Sequence, residues 1–125
     1  LRLRDDDGQS TVELALSLPF ILGLLLAIVQ AGLFVRDQVM VDHAAREAVR
    51  VAAVSGDAGR IRAAAAGASD ALDPRRLTVE VGGRGPPGSP VRVVVDYDSP
   101  VRLPVIGFAR SSVRLSASAT ILVET

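Results

Sequence analysis

Few residues in this chain are of types that do covalent or metal chemistry, and their spacing limits what each can do. His43 is the sole histidine and there is no cysteine. A histidine metal site or a catalytic triad would need partners that the sequence does not bring near His43. Without cysteine, disulfides, thiolate ligands and a thiol nucleophile are all removed together. On a helix after Asp42, His43 reads as an exposed residue. Asp96 and Asp98 flank Tyr97 and share one side of a strand, as a carboxylate pair for catalysis or calcium would. Ahead of Ser99-Pro100 they read instead as turn-edge acids. Gly83-Arg84-Gly85-Pro86-Pro87-Gly88 matches G-x-G-x-x-G. It contains two prolines and no helix follows, so the helix start that holds a dinucleotide pyrophosphate is missing and a mobile hairpin tip is expected. No serine or aspartate stands in a nucleophile setting. The chain is expected to have no catalytic residues, no cofactor and no metal, and not to be an enzyme.

The acid whose position is informative is Glu13, which immediately precedes an uncharged run of 22 residues, Leu14 to Val35. As a helix that run is roughly 33 Å long, enough to cross a hydrocarbon layer of about 30 Å. Only Ser17 and Gln30 are polar within it. A chain this short could not wrap such a helix on all sides, so insertion in a lipid bilayer is expected. Cleavage by signal peptidase after Val29-Gln30-Ala31 is disfavoured. The run is longer than a secretory signal needs, the leader LRLRDDDG balances its arginines with aspartates, and helix-forming sequence continues past Gly32. Arginines on both sides of the span leave its orientation undecided by charge. Small residues recur every fourth position at Ala15, Pro19, Gly23, Ala27 and Ala31, a stripe along which another helix could approach closely. Pro19 cannot donate to the Ala15 carbonyl, so a loosened turn is expected there.

Ser10-x-x-Glu13 has the spacing of a capping box, in which Ser10 would cap the helix and Glu13 would reach back to it. That spacing does not account for Gly8 five residues before the acid. Gly8 followed by Gln9-Ser10-Thr11-Val12-Glu13-Leu14 and a long apolar helix resembles the processing motif of type IV prepilins and pseudopilins. GQSTVELALSLPFILGLLL, with its early Pro19, is similar more narrowly to the TadE-like family of the tight-adherence (Flp) pilus system. Val41 to Arg50 resembles the Ala-Ala-Arg-Glu segment that follows the span in that family, and SASATILVET its closing strand. The resemblance implies that a membrane aspartyl prepilin peptidase cuts on the cytoplasmic side between Gly8 and Gln9. It also implies that Glu13 meets the α-amine of a neighbouring subunit, so that an acid costly in apolar surroundings becomes a register device. An N-terminal Gln9 can cyclise, which would remove that amine's charge. The implied partners are the lipid bilayer, the prepilin peptidase, pilus or pseudopilin subunits and assembly-platform proteins.

The elements that must position these residues follow from periodicity. Val41, Ala44, Ala45, Ala48 and Ala52 extend the helix to about Ser55 with a narrow small-residue face. Asp42 with Arg46 and Glu47 with Arg50 have the spacing of helical ion pairs. Gly56 ends the helix, and Asp57 is placed to cap a second one over about Ala58 to Leu72, before Pro74. Strands are expected at Leu77 to Val81, Val91 to Tyr97 and Val113 to Val123, with Val105, Ile106 and Phe108 covering a sheet edge. The expected fold is α+β and pilin-like: a long N-terminal helix, a short second helix and a small antiparallel sheet of about three strands. The expected organisation is a leader at 1–8, a transmembrane and assembly half of the helix at 9–35, and a soluble domain at 36–125. The chain starts at Leu1 rather than Met, so the leader's true start is open.

Composition narrows the rest. Apolar residues make up 49% of the chain, yet its only aromatics are Phe20, Phe34, Phe108 and Tyr97. A core of Val, Leu, Ile and Ala buries little area per residue, and marginal stability follows. Fourteen basic residues, all Arg, balance fourteen acids with no basic patch or stacking platform, so no nucleic-acid partner is expected. The function expected is a membrane-anchored minor pilin or pseudopilin-like subunit in assembly of a tight-adherence pilus or related secretion system. Its soluble domain would lie outside the cytoplasm or in the extracellular pilus. The alternative is a non-polymerising membrane-anchored accessory or binding protein.

Overall fold

A long uncharged run followed by alanines at helical spacing can satisfy its backbone only within itself. In a computed structural model, which describes residues 2–101 and 112–124, Arg2–Val54 form one helix, α1. The helix passes through Pro19 without ending. It begins well before Ser10, so the capping box does not form. Ser10 already sits in a turn whose amides are bonded within the helix, and no orphan donor is left for its hydroxyl.

The chain divides into two compact units, Leu1–Gly32 and Leu33–Thr125. The first consists of helix alone. Its large apolar side chains are open, from Val12 and Leu14 through Phe20, which is 81% exposed, to Val29. Gln30 is the exception and is buried.

The second unit is α+β. The face of α1 formed by Val41, Ala44, Ala45, Ala48 and Ala52 is buried, as their spacing predicts. Asp57 caps α2 (Ala58–Gly67), its Oδ1 accepting from Gly59 N at 2.9 Å. α2 stops at Gly67, short of the expected Leu72. Glycine weakens the helix there, and Ser69 bonds its own neighbours instead, its Oγ accepting from Ala71 N at 3.2 Å. Asp73 then caps a one-turn 3-10 helix, Pro74–Arg76.

Strands β1 (Leu77–Gly82), β2 (Pro90–Pro100) and β3 (Ser112–Leu122) form an antiparallel sheet in the order β1-β2-β3. The register places Val81 opposite Val93 and Val93 opposite Ala119. Val91, Val93, Val95 and Tyr97 on the inner face are buried with the alanines of α1, Ile61 and Ala65 of α2, and Leu72. β2 extends to Pro100, so Asp96 and Asp98 lie within a strand rather than at a turn edge. Gly83 and Gly88 take positive φ (75° and 89°) in the β1–β2 loop, a conformation cheap only for glycine. That tip is tied down rather than free: Arg84 Nε donates to the Ala52 carbonyl at 3.1 Å. Glu124 N donates to the Ala53 carbonyl at 2.9 Å, so two distant donors close the C-terminal end of α1. Val105, Ile106 and Phe108 lie outside the described residues.

Candidate assembly segment

The residues singled out for processing and assembly fall on the first unit's helix. Gly8 and Gln9 lie inside α1, not at its start, and a side chain added at Gly8 would meet nothing within 4 Å. Glycine in a helix interior costs about 1 kcal/mol relative to alanine, so this is a weak point in an otherwise strong helix. Thr11 Oγ1 donates to the Asp7 carbonyl and Ser17 Oγ to the Glu13 carbonyl, each at 2.8 Å. Both hydroxyls are thereby satisfied by the helix itself, the arrangement an apolar surrounding requires.

Glu13 is exposed, and among the described residues no donor reaches its carboxylate. It lies beside the exposed Val12, Leu14 and Leu16. Ala15, Pro19, Gly23, Ala27 and Ala31 are all exposed, and the space beside Gly23 is open. The helix is long and apolar enough to cross a membrane, and none of its most apolar stretch is buried.

The residues considered for chemistry separate. His43 is exposed on α1. Asp96 meets Arg114 across the sheet at 3.5 Å, and Arg76 Nη1 donates to the backbone carbonyl of Asp98 at 3.3 Å. Among the described residues no group of three His, Cys, Asp or Glu could hold a metal ion. Glu47 and Arg50 pair loosely at 3.9 Å, whereas Asp42 accepts from Gln38 Nε2 at 3.2 Å instead of meeting Arg46.

Sequence reasoning missed a buried polar contact. Asp37 and Ser99 are both fully buried, and Ser99 Oγ donates to Asp37 Oδ2 at 2.6 Å, fastening the end of β2 to α1. The signal was available: Asp37 precedes Val41, Ala44 and Ala48 by four, seven and eleven residues and so shares their buried face. Gln38 adds a second tie, its Nε2 donating to the Ser116 carbonyl at 3.1 Å.

Residues 8–50 match the model of a family described as TadE-like protein; α2 and the sheet lie outside the match. Neither a curated protein nor a solved structure matches the chain. The matched residues, less than half of the chain, are those that carry the resemblance, from Gly8 and Glu13 through the span to Arg50, and over them the chain is similar to TadE-like proteins.

Proposed function

We propose that this protein is a minor pilin-like subunit that helps assemble a tight-adherence pilus. The reading rests on one observation: a helix uncovered on almost every side, with a single carboxylate at its apolar boundary, within the TadE-like segment. Exposed Leu and Phe side chains in a row need lipid or other helices, and a bilayer supplies the first and a fibre the second. In this reading prepilin peptidase cuts between Gly8 and Gln9 on the cytoplasmic side. The bond lies in a helix, so the enzyme must unwind a turn, and Gly8 lowers that cost. The freed α-amine of Gln9 then meets Glu13 of a neighbour. Pairing is worth most where water is excluded, so only the correct stagger neutralises both groups. The small stripe from Ala15 to Ala31 lets the helices approach, the second unit sits outside the cytoplasm, and the chain carries no enzymatic activity of its own.

The intact mass of the chain, produced with and without the peptidase, tests the reading. A mature chain beginning at Gln9 supports it. A start at Gly32, or a chain that keeps Leu1 to Gly8 beside active peptidase, defeats it and leaves the non-polymerising anchored accessory protein.

A further inference from the structure

The two edges of the sheet are unequal. β1 has six residues and carries Glu80. β3 has eleven, and from Leu115 to Leu122 it contains neither a charge nor a proline, the devices that usually blunt an edge strand. Among the described residues, α1 is hydrogen-bonded to this edge at Ser116, whose carbonyl accepts from Gln38 Nε2, and just past its end, where Glu124 N donates to the Ala53 carbonyl. The first of these contacts sets the parity. A strand residue turns its N–H and C=O to the same side, and the side alternates along the strand. Ser118, Thr120 and Leu122 therefore turn theirs away from β2, as Ser116 does. Val123 points the other way and bonds Ser89 and Gly88 at the start of β2. Among the described residues nothing bonds the outward backbone of Ser118, Thr120 or Leu122. Carried across the register through Val94 to Glu80, the same alternation turns the backbone of Val79 and Val81 outward at the opposite edge.

We propose that the β3 edge receives β1 of a second copy of this chain, lying parallel beside it. The register sets Ser118 beside Thr78, Thr120 beside Glu80 and Ile121 beside Val81. Direction selects this partner strand. β3 runs from the level of Gln38 to that of Ala53, along α1, and β1 runs the same way because one antiparallel strand separates them. Where two copies lie side by side with the parts of α1 after Leu33 running the same way, β1 is the edge a neighbour offers. Antiparallel pairing of two β3 edges would reverse one helix. Exposure agrees with the register. Ile121 and Val81 are inner-face residues at opposite edges, each 37% exposed, and in this pairing each covers the other. On the outer face Ser118 and Thr78 bring two hydroxyls together. The paired edges differ, so the contact is heterologous and repeats from copy to copy. It requires a shared membrane, not cleavage at Gly8 or growth of a fibre, so it stands or falls separately from the proposed function.

The chain has no cysteine, which makes crosslinking clean. The full chain carrying both Glu80→Cys and Thr120→Cys is oxidised in the membrane of an expressing cell. Within one copy β2 separates these positions by two strand spacings, about 9–10 Å, beyond disulfide reach. The expected result is a ladder at multiples of 13.0 kDa from the double variant and monomer from either single variant. Adding Ser118→Pro, whose N–H bonds nothing in the monomer, should leave the far-UV circular dichroism unchanged and reduce the ladder to the single-variant level. Val79→Pro tests the other edge in the same way. Four results overturn the proposal: dimer from Thr120→Cys alone, bands off the 13.0 kDa multiples, a ladder indifferent to both prolines, or no ladder from a folded double variant.

Discussion

One helix, α1, passes through two environments, and its two parts use small residues in opposite ways. Before Gly32, Ala15, Gly23, Ala27 and Ala31 are exposed beside Leu and Phe side chains that are exposed as well. After Leu33, Ala44, Ala45, Ala48 and Ala52 are buried against valines of the sheet and Ile61 of α2. The second set is spent within the molecule, where alanine lets a three-stranded sheet with few aromatics pack closely on a helix. The first set is exposed, and in the proposed assembly it lies against another helix. Polar groups divide in the same way. Asp37 is bonded to Ser99 inside the fold, while among the described residues no donor reaches Glu13.

The largest expected effect concerns those two acids. In the proposed assembly, Glu13→Gln should weaken subunit association by about 4 kcal/mol, on the order of a thousandfold, because it would leave the neighbour's amine buried without its counter-charge. Crosslinking between subunits reads this, and insertion and cleavage should persist. Ser10→Ala, at a position that caps nothing in the intact chain, should assemble almost normally. Assembly of Glu13→Gln at the parental level would erase the contrast between the acids.

Next comes core burial. Ile61→Ala should lower the stability of the second unit by about 3 kcal/mol, since the side chain is fully enclosed and leaves a cavity. Leu16→Ala in the first unit should leave the same thermal transition in detergent unmoved. Equal shifts would mean that the units do not unfold separately.

A smaller effect is expected at the buried polar tie. Ser99→Ala removes the donor to Asp37 Oδ2 and should cost about 1–3 kcal/mol, measured by urea unfolding of the full chain. Thr11→Ala, which removes a comparable hydrogen bond from the exposed helix, should cost only tenths.

The smallest effect is a pH dependence at the exposed cap of the 3-10 turn. The backbone N–H of Arg75, assisted by the charges of Arg75 and Arg76, holds the Asp73 carboxyl below its ordinary value of 3.8. A carboxyl depressed in the folded state contributes stability that is fully present above its unfolded value and is lost as pH falls through the folded one. Acid titration should therefore loosen this turn only below about pH 4, and Asp73→Ala should abolish that step. Amide exchange at Arg75 and Arg76 would follow it.

The residues themselves carried most of the architecture. Uninterrupted apolar character required a helix that no chain of this size could enclose, and Gly8, Glu13 and the span carried the family resemblance. Alanine spacing identified the buried face of α1, and Asp57 its following cap, because both depend on neighbours within a turn. Alternation located three strands to within a few residues, since period two is a local property.

Only the tertiary structure decided what depends on distant partners. Asp37 gains its partner only when Ser99, 62 positions away, is brought against it. The hairpin tip looked unattached until the end of α1 presented the Ala52 carbonyl to Arg84. Which backbone groups of β3 turn away from β2 lay equally out of reach, because that side is set by which strands pair and by their parity, not by the strand's own residues. Local periodicity determines elements, whereas the pairing of backbone and buried polar groups is satisfied across the whole fold and becomes legible only once the fold exists.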